Sequence, residues 1–159
     1  MNCYSSFCGS LASLGYIVVC PNHPNDEVCL DFRKVSETDE ELIRQFLYEN
    51  RNRDLIIRRK EIVSVIESIV EKDILSAKLG EKVEIDEIIL GGQSYGGGSA
   101  IETKAWINRH SAHKHLFNRL ICLDPWLFPM NDQQYANLKN ENLFIINSHH
   151  FYEKVPKAY

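Results

Sequence analysis

The chain has 159 residues, a formal net charge of −4 and a pI of about 5.9. Hydrophobic residues make up 44% and charged residues 25%, the balance of one globular domain with a buried core, not of a disordered or membrane-spanning chain. The mild acidic balance gives no footprint for nucleic acid or for an anionic membrane surface.

Residues 4–14 predict a short helix with Gly15 as its C-terminal cap. The continuous run at 16–20, Tyr-Ile-Val-Val-Cys, predicts a buried strand. No Lys or Arg precedes the apolar stretch 11–20, so it does not read as a signal peptide, which favours a cytoplasmic location. No run reaches the 18 apolar residues of a membrane-spanning helix. The five cysteines, at 3, 8, 20, 29 and 122, are odd in number and form no C-x-x-C pair. Reduced thiols are expected, and neither a disulfide framework nor a zinc site.

Residues 21–36 read as loop. A helix is predicted over 37–48, with Ser36 or Thr38 as cap, and a longer one over 54–78. Ile62, Ile66 and Ile69 share a face of the second, with Val63, Val70 and Ile74 beside it, which is the pattern of a core-facing amphipathic helix. Leu79-Gly80-Glu81 closes it. A strand is predicted at 86–90, a helix over 97–109, a polar loop at 110–115, strands at 120–123 and 142–147, and a short helix at 149–155. Strands alternating with helices imply an α/β fold, a mostly parallel sheet with helices on both faces.

The strand at 86–90 runs directly into Gly91-Gly92-Gln93-Ser94-Tyr95-Gly96-Gly97-Gly98. A G-x-S-x-G sequence between a strand and a helix is the nucleophile turn of α/β-hydrolases. The sharp turn lifts the Ser94 hydroxyl clear of the backbone, while Gly92 and Gly96 let strand and helix approach. The N-terminus of the following helix favours a developing oxyanion, and the backbone N–H of Tyr95 is its expected donor. No Gly-Lys-Ser/Thr follows, so a phosphate-binding P-loop fits poorly.

A serine nucleophile needs an imidazole base and a carboxylate to orient it. Asp124 follows the strand 120–123, at the edge where open parallel sheets build their sites. The base is not evident. His149 and His150 alone follow Asp124 in the order Ser, Asp, His, but they come directly after the next strand. His110, His113 and His115 read as solvated loop. His23, just past the strand at 16–20, reads as a supporting hydrogen-bond partner of the site.

Three segments, Gly91-Gly92-Gln93-Ser94-Tyr95-Gly96-Gly97, Leu123-Asp124-Pro125-Trp126-Leu127-Phe128-Pro129 and Phe144-Ile145-Ile146-Asn147-Ser148, together resemble the platelet-activating factor acetylhydrolases. The plasma and intracellular type II enzymes of that family, calcium-independent phospholipases A2, carry G-H-S-F-G-G, L-D-x-W-x-F-P and F-I-N-S in the same order. Their E-H-R after an early strand is matched only in part by Pro21-Asn22-His23-Pro24. The resemblance implies a partial α/β-hydrolase fold, Ser94 as nucleophile, Asp124 as triad acid and the Tyr95 N–H as oxyanion donor. It implies a phospholipid substrate that loses a short sn-2 acyl group through an acyl-enzyme, with no metal and no cofactor. Contact with a lipid surface is a further expectation.

The family's upstream S-H-G loop and downstream G-x-x-H histidine have no counterpart in these residues. The chain therefore reads as one domain truncated at both ends, with negligible turnover and poor solubility expected of it alone. Two alternatives stand beside this reading. One is another α/β-hydrolase, dienelactone-hydrolase-like or a carboxylesterase. The other is a pseudoenzyme that binds lipid or a partner.

Overall fold

The computed structural model describes residues 4–24, 40–135, 142–149 and 151. The first helix, α1 (Ser5–Ser13), ends as its sequence dictates. Gly15 takes φ +93° and donates its N–H to Ala12 O at 3.0 Å, while Tyr16 N–H reaches Leu11 O at 3.3 Å. This is the paired closure in which a left-handed glycine satisfies the last helical carbonyls.

The strand expected at 16–20 does not form; the segment has no ladder partner among the described residues. A strand exists only through its neighbour's backbone, and β-branched composition alone does not supply one. Tyr16, Ile17 and Val19 are accordingly exposed, not buried.

The two helices expected over 37–48 and 54–78 are, as far as described, a single long helix, α2 (Glu40–Val70). No Gly or Pro occurs between 37 and 79, and the polar run Asn50-Arg51-Asn52-Arg53 carries only small propensity penalties that packing overrides. Asn52 lies where the break was expected and is held by Pro129 O at 2.6 Å and Gln134 Oε1 at 3.0 Å. The helical stretch breaks later, at Asp73 (φ +49°), and resumes as α3 (Ile74–Leu79), which Gly80 closes at φ +74°.

The sheet has three parallel strands in the order β1 (Ile89–Gln93), β2 (Arg119–Leu123), β3 (Asn142–Ile146). β1 begins later than the predicted strand and includes Gly91, Gly92 and Gln93, because the ladder continues to the pair Gln93↔Leu123. Pairing outweighs the poor strand propensity of glycine here. Between β1 and β2 runs α4 (Tyr95–His110), beginning two residues earlier than expected. A 3-10 turn, Lys114–Leu116, overlaps the end of the predicted polar loop, and an unpredicted short helix, α5 (Asp132–Tyr135), precedes β3. The predicted cap residues Ser36 and Thr38, and most of the helix expected at 149–155, lie outside the described residues.

The strand period of two decides where the core sits. Leu90, Leu120 and Cys122 turn towards α4 and are buried with Ala100, Ile101, Ile107 and Phe117. Ile121, Phe144 and Ile146 point the other way and are exposed. The outer side of α4 is covered by α2, through Leu55 and Ile66. A helix held between sheet and helix buries its polar residues too, and Glu102 is only 1% exposed. Its Oε1 accepts from Arg59 Nη1 at 2.8 Å. Arg59→Ala strands that carboxylate without its cation and is expected to cost about 3 kcal/mol, read as a lower urea midpoint.

Candidate active site

Ser94 occupies the step between β1 and α4 with φ +53° and ψ −121°. A residue with a side chain rarely adopts this backbone, and holding it there costs of order 1–3 kcal/mol. Four backbone hydrogen bonds hold it. The Ser94 N–H donates to Leu123 O at 2.9 Å. The Ser94 carbonyl accepts from Gly97 N–H at 3.0 Å, Gly98 N–H at 3.3 Å and Trp126 N–H at 2.9 Å. The side chain does not cap its own helix, so the hydroxyl is not spent on the turn.

Asp124 stands in the equivalent position after β2, again with positive φ, +45°. Its N–H donates to Ile146 O at 2.8 Å, and its Oδ1 accepts from Ser148 N–H at 2.5 Å. Gln93, Leu123 and Ile146 form one row across the sheet. Ser94 and Asp124 therefore emerge side by side from the carboxyl edge of neighbouring parallel strands, and the backbone bonds from Ser94 to Leu123 and Trp126 bracket Asp124.

The glycines differ in what they do. A Cβ on Gly92 would lie 2.2 Å from Gly96 O, so strand and helix meet at that point. A Cβ on Gly96 would meet nothing within 4 Å; its neighbour, not Gly96 itself, requires the absence of a side chain. Gly97 and Gly98 are needed for a reason the local sequence does not show. The Asp124-Pro125-Trp126 segment crosses the first turn of α4, and Cβ atoms there would lie 2.8 Å from Pro125 Cβ and from Trp126 O.

Gly97 and Gly98 N–H return to the Ser94 carbonyl, so Tyr95 and Gly96 N–H lie ahead of the helical ladder at the positive end of α4. The Tyr95 side chain turns back to α2. Its hydroxyl donates to Arg51 O at 2.5 Å, and its ring lies under Arg58 (4.5 Å) and Arg51 (5.3 Å), with Trp126 edge-on at 5.9 Å. Burial, then the Asp54 carboxylate, push this phenol well above its ordinary range, so it stays a neutral donor. Gln93 Oε1 accepts from the Tyr4 hydroxyl, bringing α1 to the turn. Behind it, burial pushes the Cys122 thiol up to about 12, an unreactive core position.

The histidines are dispersed. His23 was expected at the functional edge, but the strand that would carry it there is absent, and its Nδ1 meets Glu61 Oε2 of α2 at 2.5 Å. It ties the segment after α1 to α2. His110 Nδ1 lies 2.9 Å from Trp106 O, and His113 lies 3.5 Å from Glu71. His149 directly follows Ser148, the residue whose N–H holds the Asp124 carboxylate; His150 lies outside the described residues. A cavity of about 520 Å³ opens along the far half of α4, lined by Arg59, Glu102, Trp106 and Gln134 among others, with no wall from residues 92–96 or Asp124. It is not part of the serine site. Among the described residues no three His, Cys, Asp or Glu side chains gather as a metal site, and no helix is long and apolar enough to cross a membrane.

The family model described as platelet-activating factor acetylhydrolase, isoform II, matches residues 1–157. The chain belongs to that family. Among curated relatives, the platelet-activating factor acetylhydrolase of Bos taurus is 27% identical over 172 residues, covering 93% of this chain and 37% of its own length. That of Cavia porcellus is 26% identical over 169 residues, with the same coverages. The chain thus spans little more than a third of the acetylhydrolases it matches. No solved structure matches it significantly. The family's name is that of ester hydrolases, and the fold is of α/β type with a parallel sheet, as the sequence pattern implies.

Proposed function

We propose that this chain carries the nucleophile and acid of a serine lipid esterase that removes a short sn-2 acyl group, acetyl in the simplest case, from a glycerophospholipid. The observation that carries the reading is the paired exit of Ser94 and Asp124 from adjacent strand ends, each in a positive-φ backbone fixed by hydrogen bonds. Family membership supports the substrate class.

Ser94 Oγ attacks the sn-2 carbonyl carbon as its proton passes to an imidazole oriented by Asp124. The carbonyl oxygen becomes an oxyanion beside Tyr95 N–H and the positive end of α4. Collapse expels the lysophospholipid alkoxide, which takes the imidazole proton and leaves the acyl group on Ser94. Water, deprotonated by the same imidazole, then releases the acid and restores the serine. The identity of the imidazole is tested by His149→Ala and His150→Ala beside the parent chain.

A fluorophosphonate probe tests the nucleophile directly, since phosphonylation needs an activated hydroxyl. In a version of the protein that also carries the catalytic histidine, labelling is expected at Ser94, and in the Ser94→Ala variant not at all. Absence of labelling in a folded sample sinks the catalytic reading and favours a lipid-binding or partner-binding role. Acetate release from a 2-acetyl phospholipid, compared with a simple aryl acetate, separates the lipid esterase from a general carboxylesterase.

A further inference from the structure

From the approach of two thiols across the α1 turn, we infer that Cys8 and Cys20 form a reversible redox couple. Their sulfur atoms lie 3.2 Å apart, one on α1 and the other on the segment 16–20 that follows its glycine cap. Both are free thiols; Cys20 is exposed and Cys8 half-buried, so a small oxidant reaches the pair. The hydrogen bond to Cys8, with some burial, holds the Cys20 thiol above its ordinary range. Cys122, buried under α4, is not comparably accessible.

The chemistry closes with a low-molecular-weight disulfide such as glutathione disulfide as oxidant. One thiolate attacks a sulfur of that disulfide, a mixed disulfide forms, and one glutathione thiolate leaves. The second cysteine, already in contact, attacks the protein sulfur of the mixed disulfide and expels the second glutathione. Two protein thiols are oxidised, one small disulfide is reduced to two thiols, and no other reactant is needed.

The bridge would act on a segment that no sheet ladder holds. The segment 16–20 has no strand partner among the described residues, and Gly15 is its joint to α1. A Cys8–Cys20 bond ties the two together. Cys8 stands one helical turn from Tyr4, whose hydroxyl meets Gln93 beside Ser94, so the bond also restrains the contact between α1 and the nucleophile turn. The inference concerns the thiols alone and does not depend on the hydrolytic reading.

The test is to equilibrate the full chain in glutathione buffers, quench with acid and map disulfides by peptide mass spectrometry, under native conditions and in concentrated urea. In the native chain the Cys8–Cys20 bridge is expected to exceed every other cysteine pair about tenfold or more, because contact raises the effective concentration. In urea that preference should vanish. Cys8→Ser and Cys20→Ser should each stop at a glutathione adduct on the remaining thiol and revert with reductant. Separate adducts on both residues of the parent chain, or preferred pairing with Cys3 or Cys29, would overturn the inference. A bridge equally favoured in urea would do so too, since it would owe nothing to the fold.

Discussion

Gly92→Ala is expected to lower the stability of the chain by more than about 3 kcal/mol, a fall in melting temperature of roughly 10 °C. The added Cβ would lie 2.2 Å from Gly96 O, 2.3 Å from Gly96 C and 2.7 Å from Gly97 N. All three are backbone atoms of the first turn of α4, so no rotamer change relieves the clash. β1 and α4 must separate, but β1 is pinned by its ladder to β2 and α4 by the Ser94 carbonyl and the crossing Pro125-Trp126 segment. The loss therefore falls on the strained backbone of Ser94. Gly96→Ala is the matching control. Its Cβ meets nothing within 4 Å and its φ is not positive, so the change should be neutral or stabilise the helix by up to about 1 kcal/mol. Calorimetry of both variants decides the matter; equal melting temperatures would show that the strand and helix do not meet at Gly92.

The parts of the fold legible in the sequence are those set by neighbours along the chain. Gly15 and Gly80 announce helix ends because a left-handed cap requires glycine whatever packs above it. The sharp strand-to-helix turn at Ser94 is legible for a similar reason, since spacing and flanking periodicity are local. Asp124 could be placed because a parallel sheet sends every strand end to one edge. What depends on distant backbone was not legible. The run at 16–20 has the composition of a buried strand with or without a partner, and only the structure shows that it has none among the described residues. The side chains that hold α2 together past Asn50 belong to contacts with Pro129 and Gln134, some 80 residues on. The need for glycine at 97 and 98 arises from a crossing segment, and so does not appear in the G-x-S-x-G pattern. The return of the Tyr95 hydroxyl to Arg51 O left no signal in spacing.

Asp124→Asn is expected to leave the fold intact and, in a version of the protein that carries the catalytic histidine, to slow the reaction of Ser94 with a fluorophosphonate by as much as about 10⁴-fold, the scale of losing a carboxylate that holds an imidazole. The two effects separate because the residue has a structural job and, on the proposed reading, a chemical one. Structurally, it tolerates φ +45° and accepts a hydrogen bond from Ser148 N–H. Asparagine does both: it is at home in the left-handed region and keeps a carbonyl oxygen at the Oδ1 position. Its melting temperature should therefore stay within a degree or two of the parent chain, a change under about 0.5 kcal/mol. Chemically, the amide cannot stabilise an imidazolium, so the proton from Ser94 has no favourable destination. Asp124→Ala removes both functions; it should lose the same reactivity and also about 1–2 kcal/mol, because it leaves Ser148 N–H without its acceptor and puts a Cβ without hydrogen-bonding help at positive φ. If Asp124 serves only to close the turn after β2, the order reverses: Asp124→Asn labels like the parent, and only Asp124→Ala is affected, through its stability. Labelling rate and melting temperature measured on the same two variants therefore distinguish a triad acid from a turn residue.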